Sequence, residues 1–159
     1  MNNSKNIIET YKSLKESEKF DFLVCFNSTL DLELASFFLA LVKDDSCDDD
    51  LRIEAVKIIG LYKGDYDDRF IINDLIEIIN SDEDDSLIVS CINTLSLLNI
   101  GDNEIKFALS IIQKDSYILF KGAAFSLISH NKHIPSAIDA LRELLNNTEY
   151  GRSAARELA

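Results

Sequence analysis

The chain has no tryptophan, one proline (Pro135), one methionine and only five glycines. Punctuation that sparse argues against a many-stranded β fold and predicts helices joined by short polar loops. Long apolar runs are missing as well. The longest, "LASFFLALV" (34–42), has nine residues and contains a serine, well short of the roughly 20 that span a bilayer. The opening "MNNSKN" lacks the charged-then-apolar layout of a secretion signal. Three cysteines (Cys25, Cys47, Cys91) are an odd number without metal-ligand spacing, and reduced thiols in a cytoplasmic protein account for them most simply. No GxSxG, P-loop, GxGxxG or Cys–His arrangement occurs, so an enzyme is the weaker expectation and no cofactor is implied.

What is present is a 159-residue chain, 47% apolar and 28% charged. That is long enough to bury a core and short enough for a single domain. The net charge is −12, and its distribution is uneven. Residues 1–85 hold 21 acids and 9 bases, whereas residues 86–159 hold 7 of each. Within 44–85 there are 15 acids against 4 bases, a balance of −11. Such a field repels nucleic acid and anionic membranes and attracts a basic protein.

Self-comparison uncovers a repeat. "LRIEAVKIIG" (51–60), "LIVSCINTLS" (87–96), "LFKGAAFSLI" (119–128) and "YGRSAARELA" (150–159) share a frame, with starts 36, 32 and 31 residues apart. A large residue opens each segment (Leu51, Leu87, Leu119, Tyr150) and a small one follows four positions on (Ala55, Cys91, Ala123, Ala154). The ninth position is Ile59, Leu95, Leu127 or Leu158. These positions share a helical face, and the small residue admits a neighbouring helix. Second amphipathic helices lie between them at 69–80, 103–114 and 135–147. The reading is all-α: a single-domain, superhelical α-solenoid of about four helix pairs over 1–159, with repeats in 44–159.

The stretch after Asp50, Leu51-Arg52-Ile53-Glu54-Ala55-Val56-Lys57-Ile58-Ile59-Gly60, resembles the first helix of HEAT-like repeats of the short, phycobilin-lyase type. That resemblance implies a recognition scaffold with many binding roles. The arginine of the motif stands only at Arg52 and is replaced by Ile88, Phe120 and Gly151 in later segments, so the usual Asp–Arg ladder is degenerate. The family's metal-dependent branch uses His-Glu pairs. None occurs here, and that activity is not carried over.

Residues 1–43 read as N-terminal capping helices over 4–14, 17–27 and 31–43, with Ser4, Ser17 and Asp31 as candidate caps. Phe20, Phe22, Phe26, Phe37 and Phe38 are expected to close the solenoid's open end, with Cys25 and Cys91 in the core. The first acid run does not fit a calcium loop. From Asp44, position six is Asp49 and position twelve Ala55; from Asp45 they are Asp50 and Val56. An EF-hand needs glycine and glutamate there, so neither register fits. His130 and His133, the only histidines, lack companions for a zinc site. No metal is expected.

Surface remains. Asp44, Asp45, Asp48, Asp49 and Asp50 precede one repeat as Asp82, Glu83, Asp84 and Asp85 precede the next. Asp50 and Ser86 are candidate helix caps, and the excess of acids forms a candidate partner-binding edge. Asp65, Tyr66, Asp67 and Asp68 lie in the opposite class of loop, with Tyr66 as candidate anchor. Asp74 and Glu77, with Asn73 and Asn80, lie on the polar face of a second helix. The expectation is a non-catalytic, cytoplasmic binding module, concretely an immunity protein that neutralises a basic toxin such as a nuclease. The alternatives are an adaptor for a basic protein or a lyase-like modifying enzyme.

Overall fold

The computed structural model describes residues 3–159, and every regular element among them is helical. The helices are α1 (Asn3–Ser13), α2 (Glu16–Val24), α3 (Leu32–Lys43), α4 (Asp49–Leu61), α5 (Arg69–Ile79), α6 (Asp85–Leu95), α7 (Asp102–Gln113), α8 (Ile118–His130), α9 (Pro135–Glu143) and α10 (Gly151–Leu158). A 3-10 turn, Leu144–Asn146, extends α9. Each helix lies where three-and-four spacing of apolar residues predicts one. In α5 that spacing buries Ile71, Ile72, Leu75 and Ile78 and leaves Asn73 and Glu77 exposed, with Asn80 exposed just past its end.

Several helix starts differ in their chemistry from expectation. Asp31 caps α3, accepting from the Leu34 amide at 2.9 Å. Ser4 is no cap. It lies inside α1 and its hydroxyl donates to Asp31, tying α1 to the start of α3. Ser17 is likewise inside α2, whose N-cap is Lys15. Asp50 and Ser86 fall within the first turns of α4 and α6. Asp84 holds the start of α6, accepting from the Ser86 and Leu87 amides at 3.0 and 3.2 Å. A carboxylate two positions earlier reaches two free amides that a serine inside the helix cannot.

The chain divides into two units, one running through Thr94 and the other from Leu95 to Ala159. In the first, α3 packs along α4, α1 on α3 and α2 on α4. The Thr94 hydroxyl of α6 donates to the Val56 carbonyl of α4 at 2.9 Å. In the second, α7 packs on α8 and α9, α8 on α9, and α9 on α10.

The small residues of the repeat frame are all interior: Ala55, Cys91, Ala123 and Ala154. So are Ile59, Leu95 and Leu127, along with Leu51 and Leu87. Leu119 departs from the frame at 55% exposed. It sits in the first turn of α8 beside exposed Tyr117 and Ile118, and the buried face of that helix is made later, by Ala123, Ala124, Leu127 and Ile128.

Candidate functional site

The first unit holds the entire net charge. Its 21 acids and 9 bases leave −12, and the residues from Leu95 onward balance at 7 and 7. Two of its loops are joined by one side chain. Arg52, in the first turn of α4, is 3% exposed. Its guanidinium donates bidentately to Glu83 of the α5–α6 loop, at 2.9 and 3.2 Å. It also reaches Asp49 at 3.3 Å, and its Nε donates to the Val42 carbonyl at the end of α3 at 2.8 Å. A guanidinium is built for such planar, forked recognition. The contact raises the Arg52 pKa and lowers that of Glu83. The two acid runs are therefore neighbours, bridged by a buried cation.

The bridge also sorts the acids. Asp49 and Glu83 serve Arg52, and Asp84 serves the α6 amides. Asp44 accepts from the Ser46 amide and hydroxyl at 3.0 and 2.6 Å, and these bonds hold its carboxyl below the usual range. Asp74 pairs with Lys43 at 3.0 Å. Asp67 folds back on the Arg69 amide at 3.0 Å. Asp68 is a correction to the partner-facing list: it is 3% exposed and pairs with Lys63 at 2.7 Å, so its charge is used inside the fold. Asp45, Asp48, Asp50, Asp65, Glu77, Asp82 and Asp85 are exposed and, among the described residues, have no ion pair or side-chain hydrogen bond. Tyr66 is half-buried, and its hydroxyl is interior without a hydrogen-bond partner. Burial first, and Asp68 second, push its pKa up.

The cysteines separate. Cys91 is fully buried, and desolvation pushes its thiol up to about 12. Cys47 is half-buried among carboxylates and is also raised, by burial first and by its bond to Asp44 next. Cys25 is exposed rather than in the core, because it follows the last turn of α2 while Phe26 takes the inward position. Phe22, Phe26, Phe37 and Phe38 join Tyr11 and Tyr62 in edge-on or tilted contacts at 5.2–5.9 Å. Phe20 stands outside that cluster, 42% exposed.

Sequence reasoning missed the surroundings of the first acid run. A cavity of about 560 Å³ opens there, with Tyr11, Glu16, Lys19 and Phe20 from α1 and α2 facing the Asp44–Leu51 stretch. Their periodicity marked only helix faces, and nothing in the order of residues places α1 and α2 beside that loop. Among the described residues no three His, Cys, Asp or Glu side chains converge as a metal site, and no helix is long and apolar enough to cross a membrane. No family model, curated protein or solved structure matches the chain.

Proposed function

We propose that the chain is a non-catalytic protein-binding module whose first unit engages a basic protein. In its most concrete form it is an immunity protein that occludes the cationic surface of a toxin such as a nuclease. The observation that carries this reading is the Arg52 bridge, which sets two acid runs side by side and leaves Asp45, Asp48, Asp50, Asp82 and Asp85 unpaired. Carboxylates without partners repel one another, and a cationic partner relieves that repulsion while the field steers its approach. Packing of α3 on α4 in the first unit, and of α7 on α8, α8 on α9 and α9 on α10 in the second, supports the repeat-scaffold reading, and Arg52 supplies the one rung of the HEAT-like ladder that the sequence keeps.

The test is affinity for basic nuclease domains, beginning with the product of any adjacent gene. Asp45→Lys, Asp82→Lys and Asp85→Lys together spare every acid with a structural bond. The triple variant is expected to weaken binding at least about tenfold, mostly through slower association. Unchanged affinity and an unchanged salt dependence would sink the acidic-face reading.

A further inference from the structure

The cavity beside the first acid run combines features that the basic-partner reading does not use. Tyr11 is 3% exposed, and its ring is fixed edge-on against Phe22 and Phe37 at 5.9 and 5.4 Å. Tyr11 lines the cavity, and among the described residues its hydroxyl makes no hydrogen bond. Burial pushes this phenol up to about 12, with further contributions from Cys47, Glu16 and Asp44. Those three groups line the same cavity as Tyr11. A phenol oxygen with no protein partner is free to accept from a donor that enters the cavity.

The charge of the walls decides which donor. Glu16, Asp44, Asp48 and Asp50 supply four carboxylates against one cation, Lys19. Lys19 already shows the mode of binding. Its ammonium sits 2.6 Å from Glu16 and 5.3 Å from the Tyr11 ring centre, a carboxylate-and-aromatic setting suited to an organic cation. Asp48 and Asp50 have no such partner. Phe20, Leu41 and Leu51 add an apolar wall along which an aliphatic stem can lie. An anion would meet four carboxylates, and a neutral apolar ligand would desolvate them without compensation. The volume is in the range of small-ligand pockets.

We propose that this cavity binds an aliphatic ammonium or guanidinium group, with Asp48 and Asp50 as the charge partners and the Tyr11 hydroxyl as an acceptor. The group comes from a lysine or arginine of the basic partner or from a free polyamine. The first source deepens the basic-partner reading and rests on it, whereas the second stands without it.

Titration of the full ¹⁵N-labelled chain with Nα-acetyl-lysine methylamide, Nα-acetyl-arginine methylamide and spermidine tests the assignment. Saturable amide shifts are expected around residues 11–20 and 44–51. Asp48→Asn with Asp50→Asn should weaken the response about tenfold, and Tyr11→Phe by a few-fold. Unchanged melting temperatures serve as the folding control for both variants, and Asp82→Asn with Asp85→Asn should leave binding as it was. A response to the amino-acid amides alone identifies a side chain as the source, and one to spermidine alone identifies a polyamine. Shifts spread evenly over all exposed acids, or matched by sodium at equal ionic strength, overturn the proposal. A basic protein that binds the two cavity variants as tightly as wild type, yet loses affinity on Asp45→Lys, Asp82→Lys and Asp85→Lys, overturns this inference and leaves the basic-partner reading standing. Saturable probe binding at the cavity with no basic protein bound does the reverse.

Discussion

Arg52 is the residue on which the first unit turns. Removing it strands Glu83, Asp49 and the Val42 carbonyl together, at a site where the guanidinium itself is interior. Loss of one partner from a buried pair costs about 3–5 kcal/mol, and the partial exposure of Glu83 reduces this. Arg52→Met is therefore expected to destabilise by roughly 2–3 kcal/mol in urea unfolding. Arg52→Lys should recover little, since an ammonium cannot serve all three acceptors in one plane. The same bond has a pH signature. The folded Glu83 carboxyl lies below its ordinary range, as does that of Asp31, which Ser4 and the Leu34 amide hold down. Their contribution is complete above about pH 4.5 and is lost as pH falls through the lowered folded values. Stability measured from pH 7 to pH 3 should fall for the wild type and fall less steeply for Glu83→Gln. Thiol chemistry gives an independent check at this scale. Alkylation at pH 8 should modify exposed Cys25 first, Cys47 slowly, and Cys91 only when the chain unfolds.

Between elements, two glycines make opposite demands. Gly64, in the α4–α5 loop, lets that loop press on the residues before α3, where the Leu30 amide donates to the Tyr62 carbonyl at 2.8 Å. A Cβ at Gly64 would stand 1.9 Å from the Leu30 carbonyl oxygen, which is backbone and cannot rotate away. Gly122 lies mid-helix in α8, and its nearest neighbour would be the Tyr150 hydroxyl at 3.8 Å. Gly64→Ala should cost at least about 2 kcal/mol, whereas Gly122→Ala should stabilise by about 0.5–1 kcal/mol through helix propensity. Melting temperatures of the two variants should move in opposite directions. The helices themselves were legible from periodicity, down to boundaries within a residue or two for α3, α5 and α7. Caps were less so, because Asp84 and Ser86 are both good capping types and only backbone geometry chooses between them. The candidate site was half legible. Clustered aspartates marked the loops, but the sequence gives no sign that Arg52 and Lys63 draw Glu83, Asp49 and Asp68 into structural pairs. Tyr11 and Lys19 read only as ordinary helix residues, because their meeting with the Asp44–Leu51 stretch depends on contacts between helices that no local pattern encodes.

Over the whole molecule, charge and fold divide at the same place. Pairs such as Lys121–Glu149 and Lys132–Glu157, at 2.8 Å each, neutralise the residues after Leu95. The acids before it outnumber their bases more than two to one. Self-repulsion in that unit should be relieved by screening. Moderate sodium chloride is therefore expected to raise the urea midpoint, and a fall would mean that the Arg52, Lys43 and Lys63 pairs outweigh the repulsion. Because residues after Leu95 contribute no net charge, the ionic strength at which the protein leaves an anion-exchange column should be set by the first unit. Neutralising an exposed acid such as Asp45 should advance elution. A charge-conserving exchange of Arg142 and Asp139, an exposed pair at 3.4 Å, should leave the elution position where it is.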